Sequence, residues 1–369
     1  MRYYEYQNCP RILKSKINSQ EVFDLVPPTI YGLLDDLVPG SELMEEFLVE
    51  MTKFEADELN YGVWVHYPKK NHLVRFTPAF WHRLTLVLRN STLLQDPGLK
   101  MSWKEIRNKL ENSVIAVAGC SVGNNAAHAI AGDIRPSHIK IADQKDYQVH
   151  NANRVRLNYE DFGRNKAMVT AEQIHAVDPF IKISVYSEGI HEKNITDFIG
   201  GNKDLFEPAT SVIIEETDDP DMKILIREEA RRWGVPVIMV SDIGSAVQLD
   251  IRRFDVNKNL SLAACGISDE ELYSKRDKWQ SDLANRDKFY EFAFSLIGRN
   301  HERTPEFKKI ILKENVALFG GVPQLGSTAM AAGGIAAESA ARLLLGFKMP
   351  ERMFINKHTG EVVIDGEKL

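Results

Sequence analysis

The sequence predicts an α/β protein built on a doubly wound, mostly parallel Rossmann-like sheet, with a small N-terminal α+β domain. From residue 113 onward, short runs rich in β-branched residues alternate with stretches of helical length, which is the pattern of βαβ units. A glycine-containing turn follows the first of these runs. The chain has 369 residues, of which 44% are hydrophobic and 27% charged, as expected for a globular protein of two or three domains.

The first domain is predicted to contain a helix followed by a β-hairpin. Residues 28–59 have a helical pattern in which apolar side chains are spaced for one face, namely Leu43, Phe47, Leu48 and Met51. Two strand-like runs, 62–67 and 72–76, flank a polar tetrad that begins with a proline. We therefore assign residues 1–105 to a separate N-terminal domain with the helix-plus-hairpin content of a winged-helix module.

The second domain, residues 106–369, is predicted to hold the main sheet. Its strands are expected at 114–117, 138–141, 183–186, 211–214 and 235–240, with helices between them at 124–132, 165–177 and 220–233. A charged, largely helical insertion at about 257–315 is typical of a mobile lid or a partner surface. An alanine-rich helix follows at 327–346, and a hairpin is expected at 353–364. Because the alanine-rich helix carries Glu338 and Arg342, it is expected to pack inside the protein and not to span a membrane.

Charge and cysteine content narrow the functional classes. A net charge of −6 argues against a nucleic-acid surface built on bulk positive charge. The N-terminus lacks the apolar segment of a secretory signal, so we expect a cytoplasmic protein without a membrane partner. The three cysteines, Cys9, Cys120 and Cys265, include no Cys-x-x-Cys pair, which argues against a disulfide framework and against structural zinc.

The turn after the first predicted strand contains Gly119, Ser121 and Gly123 and leads into a helix. Free backbone N–H groups at such a helix start can bind a phosphate. Since Ser121 stands where a dinucleotide fingerprint has its second glycine, a simple tight turn explains this segment equally well. Asp143 ends the next strand, 24 residues after Gly119, close to the distance of about 20 expected for an acid that binds ribose hydroxyls. This spacing favours nucleotide binding.

Two cations and a group of carboxylates favour phosphate chemistry over redox chemistry. Arg154 ends the block D-Q-K-D-Y-Q-V-H-N-A-N-R, and Lys166 lies in the block G-R-N-K-A. Fixed cations beside a nucleotide neutralise the charge that develops on phosphates during phosphoryl or adenylyl transfer. Taken singly, each is as readily explained as a surface charge. Carboxylates at 215–219 follow another predicted strand, where one of them can hold Mg²⁺.

These four motifs, in this order and near this spacing, resemble the ThiF/E1-like adenylating superfamily of ubiquitin-activating enzymes and their bacterial relatives. The resemblance covers about residues 110–346. It implies that the glycine turn binds ATP, with Asp143 on the ribose, Asn151 and Arg154 on the phosphates, Lys166 on the α-phosphate and Asp218 on Mg²⁺. Family members usually form homodimers in which an N-terminal arginine reaches the partner's ATP. Arg89 is the candidate here, although Arg89-Asn90 reverses the usual order.

Two departures indicate which branch of the superfamily the chain is similar to. Members that transfer acyl groups to sulfur have a reactive cysteine in the region of Cys265, and many hold zinc on four cysteines. Here the four cysteines are missing and Cys265 has no basic neighbour in sequence, so an inert thiol is expected. Cys120, inside the glycine turn, is expected to pack.

The resemblance is therefore strongest to enzymes that modify ribosomally made peptides, of the microcin C7 and pantocin A type. It implies ATP-dependent adenylation of a Glu or Asp side chain or a C-terminus of a precursor peptide, followed by condensation with release of AMP and pyrophosphate. Residues 1–105 would be a leader-peptide clamp, capturing the peptide on an exposed edge of the 62–76 hairpin, or a dimerisation unit. Activation of a small-molecule or tRNA-borne carboxylate and a catalytically silent nucleotide-binding module remain open alternatives. Residues 213–219 and 250–255 also resemble ThiF-like domains fused to nitroreductases.

Overall fold

The chain forms two β-sheets in the computed structural model. The structure describes residues 6, 8–14, 17–19, 21–25, 42–79, 81–82, 100–264, 266–298, 304, 324–365 and 367–368. Within these residues, a four-stranded sheet belongs to the N-terminal part, and a nine-stranded sheet with helices on both faces makes up the rest.

The N-terminal sheet has the strand order β1-β3-β4-β2. The strands are β1 (Arg11–Leu13), β2 (Glu21–Asp24), β3 (Val63–Tyr67) and β4 (His72–Phe76). β3 and β4 form the predicted antiparallel hairpin. The prediction that this hairpin exposes an edge is wrong, because β1 pairs with β3 and β2 pairs in parallel with β4. The outer strands of the described sheet are therefore β1 and β2.

Helix α1 (Glu42–Ala56) occupies part of the predicted helical segment. Met51 and Phe54 are buried, but Leu48 is 54% exposed, so its predicted place on the buried face is wrong. Each step of three residues turns a helix by about 300°, which places Leu48 about 120° away from Phe54 around the axis. Residues 26–41 and the side chains of Leu43 and Phe47 lie outside the described part of the chain.

The nine-stranded sheet has a parallel half and an antiparallel half. The parallel strands follow the order β7-β6-β5-β8-β9 and are β5 (Val114–Ala118), β6 (His138–Ala142), β7 (Lys182–Tyr186), β8 (Val212–Glu215) and β9 (Val237–Ile243). All five were predicted. Beyond β9 the sheet continues in antiparallel order with β10 (Ala246–Arg252), β11 (Arg352–Asn356), β12 (Glu361–Ile364) and β13 (Glu367–Lys368). β11 and β12 form the predicted hairpin.

Helices cover the two faces of the sheet, as a doubly wound fold requires. One face carries α2 (Trp103–Glu111), α3 (Val122–Asp133), α4 (Lys166–Val177) and the alanine-rich α9 (Gly326–Leu345). The other carries α5 (Ile195–Gly200), α6 (Pro220–Trp233), α7 (Asp269–Gln280) and α8 (Arg286–Ile297). Ile115 and Val117 of β5 face the first core, whereas Ala116 and Ala118 face the second. This alternation explains why β5 reads as one continuous apolar run.

The helix α9 is packed inside the protein, as predicted. It crosses α3 so closely that a Cβ at Gly333 would lie 2.6 Å from the backbone carbonyl carbon of Asn125. None of the described helices is long and apolar enough to cross a bilayer. In the predicted insertion, α7 and α8 bury Leu272, Phe292 and Leu296 in the second core. The function of this segment as a lid stays a prediction.

Candidate functional site

The carboxyl ends of β5, β6 and β8 meet at one cleft. The chain runs outward from β5 to β7 and then returns to the other side of β5 to form β8, so the strand order reverses between β5 and β8. Open α/β sheets bind ligands at such a point. Of the predicted site residues, those that line the cleft are Gly119, Ser121, Asp143, Lys166 and Asp218.

The turn after β5 depends on Gly119. Its φ is +95°, a conformation that strains other residues, and a Cβ there would lie 2.4 Å from the carbonyl oxygen of Glu216. The turn brings the backbone of the loop after β5 against that of the loop after β8. Helix α3 starts directly behind it, and its first N–H groups have no partner within the helix. The loop can therefore approach an anionic ligand with its backbone.

Asp143, at the end of β6, shapes this turn. One carboxylate oxygen accepts a hydrogen bond from the Cys120 N–H at 2.7 Å, and the other accepts from the Lys145 N–H at 2.8 Å. Each oxygen has a second lone pair for a further donor, such as a ribose hydroxyl. Asp143 thus holds the backbone of the turn in place, which the sequence did not predict. These contacts are compatible with its predicted binding of the ribose.

Lys166 brings a buried positive charge to the cleft. It is the first residue of α4 and is 7% exposed, and its ammonium lies 5.7 Å from the centre of the Tyr147 ring. Within the described part of the chain, no carboxylate lies in salt-bridge distance of this ammonium. A buried cation without an anionic partner is expected to bind an anionic ligand.

Arg154 lies directly behind the glycine turn. Its Nε donates to the Ser121 hydroxyl at 2.8 Å, and its Nη1 donates to the Asn153 side-chain oxygen at 3.0 Å. Burial lowers its pKa, while the charges of Asp242 and Asp218 act in the opposite direction. The guanidinium is therefore held next to the turn, with carboxylates near it on the side of β8 and β9.

Besides Arg154, two described residues that were predicted to bind the nucleotide are not part of the cleft lining. Asn151 is 2% exposed, and its side-chain oxygen accepts from the Gln148 N–H at 2.8 Å, which closes the turn before Arg154. Gly123 is buried in the first turn of α3, where a Cβ would lie 3.0 Å from Val117. Asn151 and Gly123 therefore support the backbone next to the cleft and do not line it. Arg89 lies outside the described residues.

The carboxylates at the end of β8 and in the loop after it make different contacts. Glu215 is fully buried and forms ion pairs with Lys223 and Arg227 of α6. Glu216 accepts from the Val240 N–H at 2.9 Å, and burial raises its pKa well above the usual range. These contacts join β8 to α6 and to β9 and fix the start of the loop that carries Asp218.

The other two carboxylates, those of Asp219 and Asp218, differ in their contacts and exposure. Asp219 caps α6 by accepting from the N–H groups of Asp221 and Met222 at 2.9 and 3.4 Å. The side chain of Asp218 is 78% exposed and lies 3.6 Å from the Lys145 ammonium. Asp218 is thus the carboxylate of this loop that is available to a ligand in the cleft.

An Mg²⁺ ion fits this arrangement only if protein and substrate coordinate it together. Within the described residues there is no group of three or more His, Cys, Asp or Glu side chains that could hold a metal. Mg²⁺ commonly binds one or two carboxylates and completes its shell with water and substrate phosphates. Asp218 is a hard oxygen ligand of the right kind and is accessible.

The family follows from the sequence match. Residues 96–361, well over half of the chain, match the profile of the ThiF family. The chain belongs to the ThiF family. This is a family of ATP-dependent adenylating enzymes with an E1-like fold.

Comparisons of sequence and of structure find similar proteins at low identity. Uncharacterized protein MT1398 of Mycobacterium tuberculosis (strain CDC 1551 / Oshkosh) is 28% identical over 193 residues, which cover 52% of this chain and 24% of that protein. The chain thus spans about a quarter of this relative's length. The crystal structure of PaaA has a TM-score of 0.53 at 14% identity, covering 88% of this chain and 95% of that one. A structure of E. coli MccB has a TM-score of 0.48 at 13% identity, covering 70% and 63%.

The cysteine in the glycine turn of this ThiF-family chain is not a thiolate nucleophile. Cys120 is fully buried, and burial together with the charge of Asp143 raises the pKa of its thiol well above the usual range. Its packing role agrees with the prediction. Cys265 lies outside the described residues.

Two residues of the site region were missed by the sequence analysis. Asp242, near the end of β9, accepts from the Gln324 side-chain N–H at 2.7 Å, and burial raises its pKa to about 7. A carboxylate at the end of a parallel strand, like Asp143, was a usable signal for Asp242. Gln324 precedes α9 and is 82 residues away in sequence, so its contact could not be foreseen.

Proposed function

We propose that this protein is an ATP-dependent adenylating enzyme that activates a carboxylate of a peptide. In the first step a substrate carboxylate attacks the α-phosphate of ATP, which yields an acyl-adenylate and pyrophosphate. In the second step a nucleophile attacks the acyl carbon and AMP leaves. The observation that carries the proposal is the buried ammonium of Lys166, which lies in the same cleft as the glycine turn and Asp218. Among the described residues, no carboxylate lies in salt-bridge distance of this ammonium.

The predicted residues that line the cleft, together with Arg154 behind the glycine turn, each have a part in this chemistry. The glycine turn and the start of α3 offer N–H groups to the phosphates, and Asp143 accepts from the ribose hydroxyls. Lys166 and Arg154 stabilise the negative charge that grows on the α-phosphate during the attack. Both are held by burial or hydrogen bonds before substrate binds, so little reorganisation is needed. Mg²⁺ bound by Asp218 would neutralise the departing pyrophosphate.

The N-terminal sheet supports a peptide as the substrate. Its outer strand β2 is exposed along its whole length, including Val22 and Phe23. An exposed strand with apolar side chains is a surface on which an extended peptide can add as a further strand. A neighbouring cavity of about 390 Å³ lies between this sheet and α4 and is lined by Phe23, Tyr67 and His72, among others.

The same sheet is fastened to the helix that carries Lys166. The Tyr67 hydroxyl donates to the backbone oxygen of His175 at 2.8 Å, and the Lys69 ammonium lies 3.1 Å from the Glu172 carboxylate. A peptide bound at β2 would therefore lie on a surface in direct contact with α4. This supports assigning residues 1–105 as a peptide clamp.

The proposal includes a homodimer in which Arg89 reaches the partner's ATP, as the family resemblance implies. In that case residues 1–105 also serve dimerisation. Sedimentation of the full chain measures the oligomeric state. Arg89→Ala should lower ATP turnover in a dimer with every carboxylate substrate and leave peptide affinity unchanged.

Carboxylate-dependent exchange of pyrophosphate into ATP tests the proposed function. We expect exchange with acidic peptides in the wild type and its loss in Lys166→Met. Phe23→Asp, on the exposed strand, should weaken exchange with peptides and leave ATP binding unchanged. If Phe23→Asp has no effect while a small-molecule or tRNA-borne carboxylate supports exchange, the peptide assignment is wrong. Tight ATP binding without exchange for any carboxylate would indicate a silent nucleotide-binding module.

A further inference from the structure

Two buried side-chain oxygen atoms have no hydrogen-bond donor among the residues that the structure describes. They are Oδ2 of Asp242 and Oε1 of Gln324. The other side-chain oxygen of Asp242 accepts from the Gln324 amide nitrogen at 2.7 Å, which fixes the orientation of that amide. Buried polar atoms are nearly always hydrogen-bonded, so two neighbouring acceptors without donors indicate a place for a ligand that carries N–H or O–H groups.

The pair is tied to the proposed phosphate-binding residues. Arg154 donates to the Asn153 side-chain oxygen at 3.0 Å, and the Asn153 amide donates to the backbone oxygen of Gln324 at 2.7 Å. Gln324 in turn donates to Asp242. The positive charge of Arg154 lowers the pKa of Asp242, against the effect of burial. A continuous hydrogen-bonded path therefore joins Arg154 to the two acceptors.

The pair lies on the side of the cleft away from the proposed ribose site. Along the sheet, Asp143 follows β6, Gly119 follows β5, Asp218 follows β8 and Asp242 lies on β9. Neighbouring strands are about 4.8 Å apart, so β9 lies roughly 14 Å from β6. A nucleotide with its ribose at Asp143 would point its phosphates toward β8, and β9 would then border the reacting acyl group from the far side.

We propose that Asp242 and Gln324 bind the N–H group of a primary amine, the nucleophile of the second step, and that Asp242 accepts its proton. This inference rests on the proposed adenylation. The amine nitrogen forms a bond to the acyl carbon, and the bond from that carbon to the AMP oxygen breaks. AMP leaves with the electron pair, and the nitrogen's proton passes to Oδ2 of Asp242, which later releases it to water. The product is an amide.

The properties of Asp242 suit this task. A general base works best when its pKa is near the working pH, and burial places the pKa of Asp242 at about 7. Gln324 contributes an oxygen acceptor of fixed orientation that aligns the amine. The charge of Arg154 favours the ionised form of Asp242, and the charge of Asp218 disfavours it. The buried carboxyl of Glu216 also interacts electrostatically with Asp242, which contributes to the raised pKa of Glu216.

The test uses the full chain with ATP, a capped glutamate tripeptide as the carboxylate and methylamine as the nucleophile. Two rates are measured, namely pyrophosphate exchange and formation of the peptide methylamide. In Asp242→Asn the ratio of amide formation to exchange should fall by about 100-fold or more, since a general base is lost. Gln324→Leu, a second variant, should lower the same ratio. An unchanged ratio in both variants overturns the proposal.

Asp250→Asn is the matched control. Asp250 lies on the adjacent strand β10 and is also buried, but both of its carboxylate oxygens have partners, Arg352 and Gln248. Its substitution should leave the ratio of the two rates unchanged, and thermal melts show whether each variant is folded. A ratio that falls equally in Asp250→Asn shows a merely structural effect and contradicts the proposal.

A binding measurement separates this inference from the proposed function. Saturation-transfer NMR of methylammonium on the full chain with ATP should show binding that drops about tenfold in Asp242→Asn, the loss expected for a hydrogen bond to a charged group. Absent binding to the wild type, or equal binding to the variant, overturns the amine site. Missing pyrophosphate exchange with intact methylammonium binding would instead contradict adenylation alone.

Discussion

The replacement of Lys166 by methionine separates the charge of this residue from its packing. Methionine keeps an unbranched stem of similar length in the 7% exposed position at the start of α4. The ammonium has a cation–π contact with Tyr147 and no carboxylate in salt-bridge distance among the described residues, so its removal leaves no buried anion behind. The lost contact is worth about 1 kcal/mol. Its loss is offset because an unpaired charge is no longer buried, and we expect a melting temperature close to that of the wild type.

The effect on catalysis should be much larger. Loss of one preorganised charge that stabilises a transition state typically costs about 3 kcal/mol, or roughly a 150-fold slower exchange of pyrophosphate into ATP. Exchange is measured at saturating ATP, with nucleotide affinity determined separately. An exchange rate within about threefold of the wild type would refute the assignment of Lys166 to the α-phosphate.

Lys140→Met gives the opposite pattern and serves as the control. Lys140 is also buried, but it pairs with Glu207 at 3.3 Å and donates to the backbone oxygens of Asp197 and Phe198. Its removal leaves the buried Glu207 carboxylate without its cation, although Ser184 still donates to one oxygen, at a cost of about 3–5 kcal/mol. We expect a melting temperature lower by about 10 °C and a normal exchange rate in the folded protein.

Three further outcomes are expected. Gly119→Ala should lower ATP affinity at least about tenfold, measured by calorimetry, because its Cβ would displace the Glu216 carbonyl at 2.4 Å; unchanged affinity would place the nucleotide elsewhere. Burial disfavours the ionised form of Asp242 in the folded protein and raises its pKa to about 7. The contribution of Asp242 to the free energy of unfolding is therefore fully present below about pH 4 and is lost as the pH rises through about 7. Asp242→Asn should therefore raise the melting temperature relative to the wild type more at pH 8 than at pH 5, and an equal difference at both pH values would contradict the raised pKa. In the native protein at pH 8, Cys120 should not react with iodoacetamide, and mass spectrometry of its peptide shows whether it does.

The sequence predicted those parts of the fold whose burial leaves a regular pattern. The parallel strands are buried on both faces, so their β-branched runs are continuous and easily recognised. Strand β10 was missed because only two residues separate it from β9. Strands β1 and β2 are short and largely exposed, and an exposed strand has no apolar alternation that a sequence could reveal.

The sequence predicted which motifs form the candidate site, but not the contacts of the individual side chains. The spacing of the motifs indicated Lys166 and Arg154, and the structure places both at the glycine turn. The sequence Thr-Asp-Asp cannot show which carboxylate caps the next helix, and only the structure shows that Asp219 does, which frees Asp218. The predicted contact of Asn151 with phosphates stays a prediction, and the structure adds that its buried side-chain oxygen closes a turn.

The packing of α9 against α3 has a consequence for the order in which the protein is made. Helix α3 ends at Asp133, whereas α9 begins at Gly326, and the first core is shared between them. At a ribosomal speed of about 10 residues per second, the second helix is synthesised roughly 20 s after the first. During that time the apolar face of α3 has no α9 to cover it, and Asp242 has no Gln324. The part of the cleft that is proposed to bind the nucleotide can therefore form early during synthesis. The proposed amine site is completed only after Gln324, in the last eighth of the chain, has been made.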